Sequence, residues 1–387
     1  MISKDDRARE SASRNRLEKT LSAVQPIDAE SVSNARARLD RLTKPQGSLG
    51  RLEDIAARVC GIQRTVKPKT DQRLIIVCAA DHGVCAEGVS AYPSTVTPQM
   101  VANFMAGGAA INALARATGI GLWVIDVGVD SSSDATDSMT DQTNAVRMLF
   151  RRVRRGTRNM VHEAAMSEVE LLEALAVGID AAELAASHGV TLVGLGDMGI
   201  GNTTAASAIT AALLNKRAAE VTGRGTGLTD VALEHKVQVI DRALDRHQLR
   251  ADEPFEILRA LGGLEIAALC GVCFGAAAAR LVVVVDGFIT TAAALVAVAL
   301  CPEVAHYLVA AHLSPEPGHA LQLDYLRQRP LLNLDMRLGE GTGAALAMNV
   351  IVAACAAFNE MATFESAGVS GRHDPKDGRP DAPARSC

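Results

Sequence analysis

The chain has 387 residues, 48% of them hydrophobic, which is enough apolar material for one large domain and a smaller one. Its formal net charge is −5, and acidic and basic residues are mixed along the length, which argues against nucleic acid or an anionic membrane as partner. Aromatic residues form only 3% of the chain, too few for the stacking surfaces of single-stranded nucleic-acid binders.

The N-terminal segment MISKDDRARESASRNR is charged and lacks the apolar stretch of a secretory signal, so we expect a cytoplasmic protein. The eight cysteines are scattered, which predicts reduced thiols and no disulfide framework. Only one run, residues 281–300, is long enough to suggest a membrane span. Asp286 and Gly287 interrupt it, however, and we predict a buried strand followed by a buried helix.

Helical segments at about 28–42 and 51–63 come first, and the turn-rich KPQGSLG at 44–50 separates them. Short β-branched runs then alternate with Ala-rich helical stretches. This alternation predicts an α/β fold with a mostly parallel, Rossmann-like sheet in a three-layer sandwich, and ligand groups at the carboxyl ends of the strands. The predicted strands are 74–80, 122–130, 191–197, 281–288 and 306–313.

Four regions follow from this pattern. Residues 1–70 and the long apolar helix at 341–366 are expected to pair as a small helical domain. Residues 71–340 are expected to form the large α/β catalytic domain. The tail 367–387 is polar and rich in Gly, Pro and charge, and we predict that it is disordered.

A glycine-rich turn, GLGDMGIGNTTAASAI at 194–209, ends a predicted strand and leads into a helix. Free backbone N–H groups and the positive helix end suit a phosphate there, although such turns are often only structural. Gly194, Gly196 and Gly199 also match G-x-G-x-x-G, so a dinucleotide-dependent oxidoreductase is an alternative. Glu220 lies at about the distance from these glycines at which a ribose-binding acid is expected. The stretch before it, however, is predicted to be a helix and not a strand.

Two further turns carry candidate phosphate-binding groups. GRGTGLTD at 223–230 precedes a helix that contains Lys236, and the sequence leaves open a phosphate contact or a solvated surface position for this side chain. SPEPGH at 314–319 follows an apolar run and offers Ser314 as a hydroxyl donor, or is simply a turn.

Glu340 lies between glycines in LDMRLGEGTGAAL at 334–346, at the start of the C-terminal helix. A carboxylate in this place is commonly a cap or a partner of the helix dipole. If the surroundings are apolar, burial would raise its pKa and make it a usable general base.

The segment AADHGVCAEGVSAYPSTVTPQMVANFMAGGAA at 79–110 mixes apolar and hydrogen-bonding side chains, which suits a flat heteroaromatic ligand. His82 is equally consistent with a structural and a catalytic role. The candidates in this segment are Asp81, His82, Ser90, Tyr92, Gln99 and Met100.

Two patterns have plainer explanations. Cys270 and Cys273 form a single C-x-x-C inside an apolar helical stretch, without a second pair at ligand spacing, so core packing is favoured over a metal site. The basic run at 151–159 is predicted to be a solvated face, with Gly156, Thr157 and Arg158 as its innermost part.

Together these segments resemble one family, the nicotinate-nucleotide–dimethylbenzimidazole phosphoribosyltransferases of cobalamin synthesis. The resemblance extends from RLTKPQGSLGRLE at 41–53 to FESAGV at 364–369. The motifs between them are AADHGV, GVSAYP, VTPQMVANF, GGAAIN, DVGV, GTRNM, GDMGIGNTT, GRGTGL, VVDGFI, SPEPGH and MRLGEGTGAAL.

The resemblance implies that the enzyme moves ribose 5-phosphate from nicotinate mononucleotide to 5,6-dimethylbenzimidazole, with Glu340 as the base that accepts the benzimidazole proton. It implies a homodimer without metal or organic cofactor, and a parallel sheet beside a helical domain built from both chain ends. The implied phosphate-binding residues are Gly199, Gly201, Asn202, Thr203, Lys236 and Ser314. The implied base-binding residues are Ser90, Tyr92, Gln99, Met100 and Leu338.

This chain departs from the family pattern at two positions. Asp197 replaces the usual Glu in the glycine-rich turn and is one methylene shorter, so its role as a second catalytic carboxyl group is in doubt. Ala205 replaces the usual Pro. A non-catalytic nucleotide-binding homologue is therefore a third hypothesis, against which the intact glycine frame of Glu340 argues.

Overall fold

The computed structural model of the protein describes residues 4–131, 138–139, 146–225 and 227–370. A seven-stranded sheet forms its centre. Numbered along the chain, the strands are β1 Arg73–Ala80, β2 Gly121–Gly128, β3 Ser138–Met139, β4 Val146–Phe150, β5 Leu192–Met198, β6 Val282–Val285 and β7 Leu308–Ala310. Their order across the sheet is β3-β4-β2-β1-β5-β6-β7, and every pairing is parallel except that of β3 with β4.

Helices flank the sheet, and the predicted α/β fold is confirmed. The helices are α1 Lys4–Ala23, α2 Ala29–Leu39, α3 Arg51–Gln63, α4 Val96–Ala106, α5 Ala110–Thr118, α6 Glu168–Ser187, α7 Asn202–Leu214, α8 Ala218–Val221, α9 Asp230–His247, α10 Pro254–Leu261, α11 Leu264–Ala278, α12 Phe288–Leu300, α13 Pro317–Tyr325, α14 Thr342–Glu360 and α15 Phe364–Ala367. Short 3₁₀ turns lie at Gly83–Glu87 and Pro302–His306. Helices α11 and α14 both pack on the central strands, which are apolar along almost their whole length because they are covered.

The two ends of the chain meet. A small cluster of buried apolar side chains joins α2, α3 and α14, with Leu42 and Phe358 as its largest members. Leu42 and Thr363 form an antiparallel bridge, and Arg38 donates to the carbonyls of Phe358 and Asn359. Helix α1 packs instead on α6 and α11. The division of the chain into domains stays a prediction, and residues 371–387 of the predicted disordered tail lie outside the described residues.

The segment 281–300 forms a strand and a buried helix, β6 and α12, as predicted. The prediction that no other stretch is long enough for a membrane span was wrong. Helix α14 is long and apolar enough by composition alone, but more than half of it is buried inside the molecule. It is therefore a core helix of this fold.

The structure shows the surroundings of the C-x-x-C pair and of the basic run at 151–159. Cys270 and Cys273 are buried in α11, where burial raises the pKa of both thiols, that of Cys273 to about 12. Core packing is thus confirmed. The basic run is not a simple solvated face. Arg152 pairs with Asp126 at 2.7 Å, and Thr157 is buried with its hydroxyl accepting from the Gly83 N–H.

Candidate active site

A cavity of about 450 Å³ opens at the carboxyl ends of β5, β6 and β7. This is the edge of the sheet at which the sequence predicts ligand groups, because parallel strands deliver their polar ends to one side. The loop 337–340, which precedes α14, and the first turns of α4 close the cavity from the side. Its lining includes the predicted residues Tyr92, Met100, Asp197, Gly199, Asn202, Thr203, Ser314, Leu338 and Glu340.

A smaller cavity of about 30 Å³ adjoins the first and shares residues of the glycine loop 199–203 with it. Ser90, Gly201 and Lys236 line this second cavity. Gln99 is exposed on α4 and lines neither of the two, so the structure brings every predicted binding residue except Gln99 to the cavities.

The glycine loop after β5 ends in Gly201, which has φ +92° and is followed by α7. Only glycine adopts such a conformation without strain, and it directs the first N–H groups of α7 toward the cavities. No side chain caps this helix end. The N–H groups of Ile200, Asn202 and Thr204 already donate to Thr97, Gly199 and Gly201. The loop therefore offers an anion chiefly the positive dipole end of α7.

Lys236 is fully buried. Of the two alternatives that the sequence left open for this side chain, the solvated surface position is therefore wrong. Its Nζ donates to the Thr203 hydroxyl at 2.9 Å and to the Gly223 carbonyl at 3.5 Å. Burial lowers the pKa of this ammonium group to about 8, although the nearby Glu316 opposes the effect. Such a cation gains strongly from an anion bound beside it.

Glu316 was not identified from the sequence. Its Oε1 accepts from the Gly225 N–H at 3.0 Å and so ties the 223–225 loop to the start of α13. A Cβ on Gly223 would lie only 2.0 Å from Glu316 Oε2, which explains the glycine. The motif SPEPGH contains this acid, but nothing in its spacing indicates a partner so distant along the chain.

Glu340 lies at the edge of the large cavity and is only 5% exposed. It adopts φ +61° between Gly339 and Gly341, which are also in the left-handed region. Its Oε2 accepts from the Ile111 N–H at 3.4 Å, near the start of α5. Burial raises the pKa of the carboxyl group and outweighs the opposing Ile111 hydrogen bond. These surroundings favour the general base over the dipole partner.

Asp286, not Glu340, caps α14. Its Oδ2 accepts from the Gly341 N–H at 3.1 Å and its Oδ1 from the Ala344 N–H at 2.9 Å. Burial raises the pKa of Asp286 to about 7, against the effect of these N–H groups. Sequence reasoning missed this role, although an acidic residue directly after an apolar strand indicates a polar group at the carboxyl edge of the sheet.

Asp197 ends β5 and is buried beside the Glu340 loop. Its Oδ2 accepts from Asn202 Nδ2 at 2.9 Å, and a Cβ on Gly339 would lie 3.2 Å from the same oxygen. Burial is the largest cause that holds its pKa well above the usual range, and the charge of Asp286 adds to it. The shorter side chain thus still reaches the site.

His82 and Asp81 lie behind the site and line neither cavity. Asp81 Oδ2 accepts from the Asp130 N–H at 2.8 Å, and His82 Nε2 lies 2.6 Å from Glu265 Oε1. His82 therefore does not touch the substrate space. Among the described residues, no three His, Cys, Asp or Glu side chains are arranged to hold a metal ion.

The position of Glu220 argues against the alternative of a dinucleotide-dependent oxidoreductase. Glu220 lies on the short helix α8, where it is paired with Arg217, and does not end a strand. In a dinucleotide-binding fold, the ribose-binding acid lies at the end of the second strand of the βαβ unit.

A phosphoribosyltransferase family model matches residues 24–369 of this chain. The chain belongs to this phosphoribosyltransferase family. It is 48% identical to the nicotinate-nucleotide–dimethylbenzimidazole phosphoribosyltransferase of Geobacter sp. (strain M21), over 92% of this chain and 99% of that one. The relative of the same name from Chloroflexus aurantiacus is 49% identical over 92% and 98% of the two chains.

Among solved structures, the family member from Thermus thermophilus is 46% identical and superposes with a TM-score of 0.81. The match covers 89% of this chain and all of the other. The family resemblance seen in the sequence motifs is thereby confirmed.

Proposed function

We propose that this enzyme transfers ribose 5-phosphate from nicotinate mononucleotide to 5,6-dimethylbenzimidazole, in the synthesis of cobalamin. The products are α-ribazole 5′-phosphate and nicotinate. Family membership and relatives of this name, each covered almost completely, support the proposal.

The observation that carries the mechanism is the placement of Glu340. A buried carboxyl group with a raised pKa lines one part of a cavity, and the glycine loop lines another part. One benzimidazole nitrogen attacks C1′ of the nucleotide as the bond to nicotinate breaks, with inversion from β to α. Glu340 takes the proton from the other ring nitrogen, so that no cationic product forms. Binding both substrates in line supplies much of the rate.

The phosphate is proposed to bind where Gly199, Gly201, Asn202, Thr203, Lys236 and Ser314 surround the two cavities. The open end of α7 and the buried ammonium group of Lys236 support this assignment, because each favours an anion. Ser314 is buried in the wall of the large cavity.

The base is proposed to bind among Ser90, Tyr92, Met100 and Leu338, whereas Gln99 lines neither cavity and stays a prediction from the sequence. Tyr92 and Leu338 are large side chains of the cavity wall that remain 51% and 56% exposed. Exposed apolar surface at a cavity is typical of a ligand contact. Asp197 is proposed as a second catalytic carboxyl group that holds a proton beside Glu340. We also propose a cytoplasmic homodimer that needs no cofactor.

The test is chromatography of the purified protein after incubation with nicotinate mononucleotide and 5,6-dimethylbenzimidazole. We expect free nicotinate and a new α-ribotide in equal amounts. Intact nucleotide binding without any turnover would instead identify a non-catalytic homologue.

A further inference from the structure

His82 and Glu265 form an ion pair directly behind the glycine loop. Their nitrogen and oxygen lie 2.6 Å apart, and the two side chains are 1% and 0% exposed. Neither residue lines a cavity of the active site. Any effect on the substrate must therefore act through the residues that touch it or through the electrostatic field.

The rear of the glycine loop packs on His82. A Cβ on Gly199 would lie 3.4 Å from the ring atoms Cδ2 and Nε2, and a Cβ on Gly201 would lie 3.3 Å from the Cβ of His82. The same two glycines line the cavities. The imidazole thus supports the peptide groups that are proposed to bind phosphate.

The two side chains depend on each other for a polar partner. Glu265 Oε2 is buried without a hydrogen-bond partner among the described residues, and its Oε1 contacts His82 Nε2. Burial opposes a charge on His82, but Glu265 and then Asp81 outweigh this effect and raise the pKa of the ring. Leaving one partner of a buried pair alone is strongly unfavourable.

The positive member of the pair is the one next to the loop. The three atoms nearest to a Cβ on Gly199 belong to Ala80 and His82, and none belongs to Glu265. Glu265 lies instead in the first turn of α11, where a helix dipole favours a carboxylate. The resulting dipole points its positive end at the loop.

We propose that the His82–Glu265 pair is a positioning element for the phosphate of the nucleotide substrate. It fixes the loop 199–203 and places the positive end of the pair behind it, in addition to Lys236 and the α7 dipole. The inference rests on the proposed function. Because the charge is already in place, it needs no rearrangement when phosphate binds.

The test uses the double substitution His82→Gln/Glu265→Gln, which removes both charges and retains the possibility of a hydrogen bond between the amides. Glu265→Gln alone, which leaves His82 without its counter-charge, is the second variant. Calorimetry measures the Kd of nicotinate mononucleotide and, separately, of 5,6-dimethylbenzimidazole, and steady-state kinetics give KM and kcat. We expect the Kd and KM of the mononucleotide to rise about tenfold, with kcat and base affinity unchanged.

A control is Arg158→Gln/Glu170→Gln, which removes a partly exposed cluster of ion pairs that lines neither cavity. It should leave nucleotide affinity unchanged. Equal losses for nucleotide and base, or no loss for the nucleotide, would overturn the inference. A wild-type enzyme that binds no nucleotide would refute the proposed function instead.

Nitrogen-15 NMR of His82 in the wild-type enzyme gives a result that does not depend on any variant folding. We expect an imidazolium ring at pH 7 whose signals shift when nicotinate mononucleotide is added. A neutral ring at pH 7 would contradict the inference.

Discussion

The backbone of Glu340 adopts the left-handed conformation between two glycines, at a cost of about 1–2 kcal/mol for a residue with a side chain. Such strain is typical of functional sites, where surrounding contacts fix the conformation. Here Asp286 holds the N–H of the next residue, Gly341, and so fixes the direction in which the Glu340 carboxyl group points.

Replacing Glu340 by Gln should lower kcat by about 10²-fold or more, because the amide cannot accept the benzimidazole proton. The Kd of nicotinate mononucleotide should stay nearly constant, because the glycine loop is untouched. The measurement is single-turnover transfer beside calorimetric binding. Glu220→Gln, an exposed carboxylate on α8, is the matched control. A variant of Glu340 with near wild-type turnover would remove it from the role of base.

The lowered pKa of Lys236 predicts that nucleotide affinity depends on pH. Its ammonium group has a pKa of about 8, so the cation is present below that pH and is lost as the pH rises through it. A phosphate monoester becomes a dianion above about pH 6, so affinity should be greatest between about pH 6 and 8. Lys236→Met should weaken binding about tenfold at pH 7 and abolish the fall above pH 8.

Calorimetric titrations from pH 5.5 to 9.5 would measure both curves. Wild-type and variant curves that fall in parallel above pH 8 would assign the effect to another group.

For single residues, the sequence indicated Glu340 and the glycine loop as candidates, because glycines around a polar residue form a recognisable local pattern. It did not identify Glu316 or Asp286, whose partners lie 91 and 55 residues away in the chain. It also could not place Lys236, since a lone helical lysine is usually solvated. Burial of a charge depends on packing that no local pattern encodes.

Among the elements, β1 and β5 were predicted almost to the residue, because a buried parallel strand is a continuous apolar run. Strand β4 was missed, since VRMLF is short and contains an arginine. Helix α1 was missed because its sequence has no clear apolar face. It is almost wholly polar, and ion pairs of Arg14 and Arg16 with acidic side chains of α6 hold it on the surface of the molecule.

Helices α6 and α11 pack against each other through glycines. A Cβ on Gly178 would lie 1.8 Å from the Ala268 carbonyl oxygen, and one on Gly271 would lie 2.1 Å from that of Leu175. Backbone atoms cannot move aside as a side chain can, so the two helices would have to separate.

We therefore expect Gly178→Ala to reduce the free energy of unfolding by about 1–3 kcal/mol, through overpacking. Activity per folded molecule should stay unchanged, because neither helix lines the active-site cavity. Thermal unfolding followed by circular dichroism measures the loss. Ser187→Ala, at the exposed end of α6, is the control. Equal stability of Gly178→Ala and wild type would show that the contact is looser than described.

Across the whole molecule, the parallel sheet collects acidic side chains at one edge, where Asp197 and Asp286 end neighbouring strands and Glu340 lies beside them. Burial raises the pKa of each carboxyl group, and repulsion from neighbouring carboxylates adds to the effect for Asp197 and Asp286. A folded state in which these pKa values are raised binds more protons than the unfolded chain over the pH range between the unfolded and folded pKa values. Its stability must therefore fall as the pH rises.

Asp286 provides the test of this linkage. Its pKa is about 7 in the folded protein against 3.8 for an ordinary Asp, so its contribution is complete below about pH 4 and is lost as the pH rises through 7. One such group changes the free energy of unfolding by at most about 1.4 kcal/mol per pH unit. Asp286→Asn should therefore flatten the decline in stability between pH 5 and 8, as measured by urea unfolding. The buried His319, with its pKa lowered to about 3, acts in the opposite direction below pH 6.5. Because His319 is common to both proteins, its effect cancels in the difference between their curves, which reports Asp286 together with Asp197, whose pKa the charge of Asp286 raises. Curves that stay parallel from pH 5 to 8 would mean that the Asp286 carboxyl group is already ionised throughout.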